Sequence, residues 1–115
     1  HGMEHPASGL KNLVHGRGLA SITPIVMEKT VDAAKEKCTV ISKALGGTDY
    51  TDCVAKINEL LVALNLKITL GEQGMEEADV PWLVENFFKV SPAALANHPV
   101  TFTKEEIAEI FTLAL

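Results

Sequence analysis

The sequence predicts a nearly all-α fold, a helical bundle, on three observations. Apolar residues return every three or four positions, they almost never alternate, and residues that start or stop helices bound the periodic stretches. The first pattern buries one face of a helix, and the lack of alternation leaves no half-buried strand. With 47% hydrophobic and 22% charged residues, the chain has enough apolar side chain for a core and too little excess charge for disorder. Its 115 residues fit one domain or a piece of one.

The opening stretch holds three of the four histidines. Read as a helix, it sets His1 and His5 four positions apart on one side. A helix follows from about Thr30, which can cap it, to Leu45. Val31, Ala34, Cys38, Ile41 and Leu45 form its inward stripe, and Gly46-Gly47 supplies a left-handed stop. The next helix runs from about Thr51 to Leu64, with Thr48 or Thr51 as its cap and Val54, Ile57, Leu60, Leu61 and Leu64 inward. Residues Asn65 to Gly74 break the pattern but keep Leu66, Ile68 and Leu70, which suits a packed loop better than a strand.

Asp79-Val80-Pro81 starts another helix, since aspartate favours the N-cap and proline is tolerated in the first turn. Leu83, Phe87 and Val90 face the core, and Ser91-Pro92 ends the helix. An irregular stretch extends to Pro99. Thr103 and Glu106 then have capping-box spacing before a terminal helix that buries Ile107, Ile110, Phe111 and Ala114.

A net charge of −5 offers no basic surface for nucleic acid, and no apolar run reaches the ~20 residues of a membrane span. No start resembling a signal peptide is present, so the expected location is cytoplasmic. Cys38 and Cys53 are too few for a disulfide framework and are expected as reduced core thiols. Trp82 and the Phe87-Phe88 pair are expected in the core, His98 and Arg17 at the surface, and Glu76-Glu77-Asp79 as a helix-start charge pattern.

The chemistry-bearing stretch is His1-Gly2-Met3-Glu4-His5-Pro6, with His15-Gly16 ten residues after His5. Neutral imidazole binds a borderline divalent ion such as Fe²⁺ or Zn²⁺, so two histidines on one helical side and a third one turn away can form a site. Gly16 would let the backbone turn sharply there. The same letters satisfy H-x-x-E-H, in which Glu4 would activate a zinc-bound water, with Glu72, Glu76 or Glu77 as a third ligand. A further alternative is a small helical interaction module whose histidines are incidental.

The chain resembles the iron-containing (group III) alcohol dehydrogenases. That family has H-x-M-x-H-P, then H-G, then a helix of the form N/L-A-x-x-x-P, matched by His1 to Pro6, His15-Gly16 and Leu19 to Pro24. Its closing segment is echoed by Glu76 to Pro81, Asn97-His98-Pro99 and Thr103 to Ile107, so the resemblance covers the whole chain. Where many members read Asn-Pro-Arg, this chain has Asn97-His98-Pro99-Val100, so no arginine role carries over.

The resemblance implies that residues 1–115 form the helical, metal-binding C-terminal domain of such an enzyme, a dehydroquinate synthase-like α domain. It also implies that the domain is incomplete, its first helices and a nucleotide-binding domain lying upstream. His1 and His15 match two ligands of a ferrous ion, replaced by zinc or another divalent metal in some relatives. His5 matches an active-site histidine near nicotinamide and substrate, suspected of relaying a proton. The implied reaction passes hydride between a primary alcohol or aldehyde and NAD(P) while the metal polarises the oxygen. No residue here reads as a nucleotide fingerprint, so no cofactor-binding residue is expected in this chain and NAD(P) would be bound mainly by the upstream domain. Alone, the piece is expected to be inactive and, with apolar stripes uncovered, to associate with copies of itself.

Overall fold

Caps, prolines and left-handed turns divide the chain into seven α-helices with no strand, in a computed structural model that describes all of residues 1–115. They are α1 (Glu4–Lys11), α2 (His15–Thr30), α3 (Lys35–Ala44), α4 (Cys53–Ala63), α5 (Val80–Val90), α6 (Pro92–Ala96) and α7 (Lys104–Leu113). The expected all-α class holds. Helices α5 and α7 pack together, α1 lies on α5, and α2 crosses α1 and α7. The α3–α4 hairpin rests on α2 through α4.

The core lies among α1, α2, α5 and α7. Leu83, Ile107, Ile110 and Phe111 are fully buried, and Phe87 is nearly so. Each such side chain contributes about 1.5–3 kcal/mol by leaving water. The loop before α5 belongs to this core, as its spacing predicts: Leu70 is buried, and its N–H donates to the carbonyl of Ala114 at 2.7 Å. At the start of α7, Thr103 accepts from Glu106 N–H while the Glu106 carboxylate accepts from Thr103 N–H, completing the expected box.

The hairpin departs from expectation. Thr30 does not cap α3. It ends α2, buried, with its hydroxyl donating to Val26 O at 2.6 Å, and a 3₁₀ turn at Val31–Ala33 intervenes before Lys35. Of the predicted inward stripe of α3 only Cys38 is buried; Ile41 is exposed, and Ser42 takes the inward place. Leu60 of α4 and Leu64 just past its end are likewise exposed, and an apolar trough is lined by Leu19, Ile41, Leu45, Ile57, Leu60 and Leu61. The hairpin packs chiefly on α2, and its outer stripe stays in solvent. Its stop is as expected: Gly46 has φ +83, which glycine adopts without a Cβ penalty. Cys38 and Cys53 are buried free thiols, and burial, with Cys38 beside it, pushes the Cys53 thiol up, away from the reactive thiolate.

Further corrections lie along α5 and its neighbours. Val90 and Trp82 are 62% and 41% exposed, because the buried stripe passes through Val80, Leu83, Val84 and Phe87. Asp79 stands at the N-cap but makes no cap bond to α5; it accepts from Glu76 N–H and pairs with Lys11 at 3.1 Å. The stretch expected to be irregular contains α6, for which Pro92 is pre-organised in the first turn.

Thr48 and Thr51 do not cap α4. Both donate to aspartates: Thr51 N–H and hydroxyl to Asp49, Thr48 N–H and hydroxyl to Asp52. Asp52 also accepts the Ser42 hydroxyl, and that bond, followed by the Thr48 N–H, lowers its carboxyl from 3.8 to about 2. A depressed folded-state value favours folding when the carboxylate is ionised. The stabilisation is complete above the unfolded value of 3.8 and is lost as pH falls toward about 2. Thermal melts across that acid window are expected to show a smaller loss for Asp52→Asn than for the native chain; equal losses would contradict the assignment.

Candidate metal centre

Helix α1 begins with a turn in which the N–H groups of Glu4 and His5 both donate to His1 O, at 3.0 and 3.1 Å. His1 thus sits one turn below His5 although it precedes the helix, so the predicted four-residue spacing places both rings on one side. Asn12, at φ 53, ends α1 in the left-handed region, and the chain reverses through Leu13 and Val14 to begin α2 at His15. The ring centroids lie 6.2 Å apart for His1 and His5, 5.1 Å for His1 and His15, and 5.6 Å for His5 and His15.

Each ring offers a nitrogen, and the three nitrogens lie within 4.8 Å of one another on the exposed side of the α1–α2 corner. His15 Nε2 stands 3.2 Å from His1 Nδ1. Two nitrogens bound at about 2.1 Å to one ion stand roughly 3.0–3.4 Å apart, so this pair fits a shared divalent ion with little movement. An all-imidazole set suits Zn²⁺ or Fe²⁺ better than a hard, oxygen-seeking ion.

Glu4 is not part of the convergent set. It is fully buried beneath it, accepting from the Ser8 hydroxyl and facing His15 Nδ1. That burial removes the H-x-x-E-H reading, because a water-activating carboxylate must face the open side of the ion. The suggested third ligands are elsewhere too: Glu72 accepts from Thr69 N–H, and neither Glu76 nor Glu77 joins the imidazoles. Gly16 is not needed for the turn, since a Cβ there would meet nothing within 4 Å. Gly18 is the constrained position, where a Cβ would lie 2.6 Å from Glu4 Oε1. Arg17 is exposed, as expected.

A cavity of about 190 Å³ opens beside His1, walled by Met3, Ile22, Phe87 and Phe102 among others, with His98 also in its lining. His98 is therefore not the solvated loop residue expected. It is half-buried, its Nε2 is 3.3 Å from Thr30 Oγ1, and its ring is 5.2 Å from that of Phe102. Sequence spacing misses Ser8, Gly18 and His98 as neighbours of the site, and it puts Glu4 on the ion's open side when it is buried beneath His15. The one available signal was the four-residue interval between Glu4 and Ser8, which places an acceptor and a donor on one helix face.

The all-helical unit gathers three imidazoles at one inter-helix corner, a candidate metal centre. The sequence profile described as Fe-containing alcohol dehydrogenase family, C-terminal, matches residues 1–115. The chain is 30% identical to 1,3-propanediol dehydrogenase of Klebsiella pneumoniae and 27% to lactaldehyde reductase of Escherichia coli strain K12, each over 99% of this chain and 31% of the relative. The crystal structure of an archaeal halo-thermophilic alcohol dehydrogenase from a Red Sea brine pool superposes with a TM-score of 0.92 at 32% identity, over 100% of this chain and 32% of that one. This chain belongs to the iron-containing alcohol dehydrogenase family. It spans about a third of the length of the relatives it matches.

Proposed function

We propose that residues 1–115 are the C-terminal, metal-binding domain of a cytoplasmic, NAD(P)-linked alcohol dehydrogenase interconverting a primary alcohol and its aldehyde. The observation that carries this reading is the convergence of three imidazole nitrogens within 4.8 Å, in a chain matched by the family profile from end to end. His1 and His15 are the proposed ligands of a divalent ion, Fe²⁺ or Zn²⁺. His5, on the same exposed corner, is the proposed proton-relaying group beside the reacting centre.

A divalent ion held by His1 and His15 would supply Lewis acidity toward an alcohol or aldehyde oxygen. The chain itself holds His1 and His15 at the spacing such an ion requires and keeps His5 unpaired with any carboxylate. The rest of the ligand set and the NAD(P) site are assigned to residues outside 1–115, so the isolated chain is expected to be inactive. No helix is long and apolar enough to cross a membrane, and buried free Cys38 and Cys53 suit a reducing compartment. The exposed apolar trough on α2, α3 and α4 supports homo-oligomer formation or packing against further chain.

The test is the full-length protein, stripped of metal and titrated with Zn²⁺ or Fe²⁺, then assayed with primary alcohols and NAD⁺ or NADP⁺. Binding of about one ion per chain with metal-dependent cofactor reduction is expected. Full activity in the metal-free protein, or no ion bound, would refute the proposal. Sedimentation of the same preparation as a monomer would remove the oligomer from it.

A further inference from the structure

We infer that Glu4 is a positioning residue for His15: its carboxylate takes the His15 Nδ1–H and thereby turns the Nε2 lone pair toward His1 and His5. This rests on the reading of His15 as a ligand. Glu4 is the one fully buried acidic residue in the chain. A carboxylate out of water is strongly disfavoured unless each oxygen finds a donor. Here each does: Oε1 accepts from the Ser8 hydroxyl and Oε2 meets His15 Nδ1. Its one ion-pair contact is with His15, and no lysine or arginine joins it.

The place for this carboxylate is made by a neighbouring helix. Gly18 of α2 has no side chain, and a Cβ there would stand 2.6 Å from Glu4 Oε1 and 2.8 Å from its Cγ. Two residues earlier, the space around Gly16 is open. One glycine of the pair is therefore fitted to Glu4, and filling it would displace the acid from His15.

Direction follows from the ring. The two nitrogens of an imidazole face different ways, and that of His15 points Nδ1 to buried Glu4 and Nε2 to exposed His1, 3.2 Å off. With a carboxylate oxygen as the acceptor facing Nδ1, the ring hydrogen is taken there and the Nε2 lone pair is left for an ion. Without Glu4 the ring is free to rotate or to take the opposite tautomer, and the pair with His1 loses its shared aim. Outer partners of this kind set affinity as well as orientation.

Two substitutions in the full-length protein separate positioning from mere negative charge. Glu4→Gln keeps the reach and an accepting carbonyl without the charge; Glu4→Asp keeps the charge and loses the reach. Zn²⁺ affinity, measured by competition with a chromophoric chelator, is expected to fall about 10–100-fold in Glu4→Asp and less than about tenfold in Glu4→Gln. Nitrogen-15 shifts of His15 in the metal-free protein should report Nδ1–H in the native and Gln forms and a mixture of tautomers in the Asp form. Native affinity in Glu4→Asp, or a loss in Glu4→Gln as large as in Glu4→Asp, overturns the inference. If His15→Ala retains native Zn²⁺ affinity, the ligand assignment itself fails; if only His15→Ala weakens binding, Glu4 alone loses its role.

Discussion

His1→Ala and His15→Ala are each expected to abolish tight divalent-ion binding and alcohol turnover in the full-length protein, yet to differ in stability. As proposed ligands, either loss should weaken binding by more than the ~10–100-fold usual for an outer partner. His1 is exposed and its only ring contact of hydrogen-bond length is with His15, so its truncation leaves nothing buried without a partner. Removing His15 strips a donor from fully buried Glu4, and an unsatisfied buried acceptor costs roughly 1–3 kcal/mol, more for a charged one. Equilibrium dialysis with Zn²⁺ and urea unfolding of both variants would show the pattern: equal loss of metal, unequal loss of stability. His5→Ala provides the contrast, retaining the ion while turnover falls about 10²–10⁴-fold, the usual contribution of a positioned acid or base. A His5→Ala protein that loses the ion as His15→Ala does would make His5 a ligand and end its separate role.

The difference between those two histidines is also where the sequence stopped being legible. Spacing alone brings His1, His5 and His15 together, because one helical turn and one reversal are local matters that four- and ten-residue intervals encode. Gly16 would allow a sharp turn beside His15, yet the left-handed residue of the reversal is Asn12. Glu4 was readable only as part of a motif. Its burial depends on Gly18, fourteen positions away on another helix, and no periodicity announces that a side chain missing from α2 is what admits a carboxylate from α1.

Much the same division runs through the fold. The stripe of α7 was legible because Ile107, Ile110, Phe111 and Ala114 follow a strong cap and face a single surface. That of α3 and α4 was not, because helical periodicity marks a face that can be buried without saying whether anything lies opposite. Ile41, Leu60 and Leu64 obey the pattern and remain exposed. His98 escapes sequence reading for a related reason: a histidine beside Pro99 looks like a loop residue until Thr30, from a distant segment, and the nearby Phe102 close around it.

Phe87→Ala is expected to be among the most destabilising single substitutions, by about 3–5 kcal/mol, against a total stability of about 5–15 kcal/mol for an ordinary domain. Phe87 is 2% exposed, sits in the core cluster with Leu83 and Ile107, and meets Phe88 edge-on at 5.2 Å. It also walls the cavity beside His1, where a Cβ on Gly2 would come within 3.2 Å of its ring. Truncation would enlarge a space that is already about 190 Å³, next to the turn carrying His1, so collapse of the surroundings would draw that histidine from His15. Trp82 is the matched control on the same helix: larger, but 41% exposed, so Trp82→Ala should cost well under half as much. Urea midpoints and Zn²⁺ affinity of both variants decide the matter. Phe87→Ala should lower both, and Trp82→Ala should leave metal affinity at the native value. Equal destabilisation by the two substitutions would mean that the core is not organised around Phe87, and native Zn²⁺ affinity in a destabilised Phe87→Ala would mean that the corner holding the imidazoles does not depend on it.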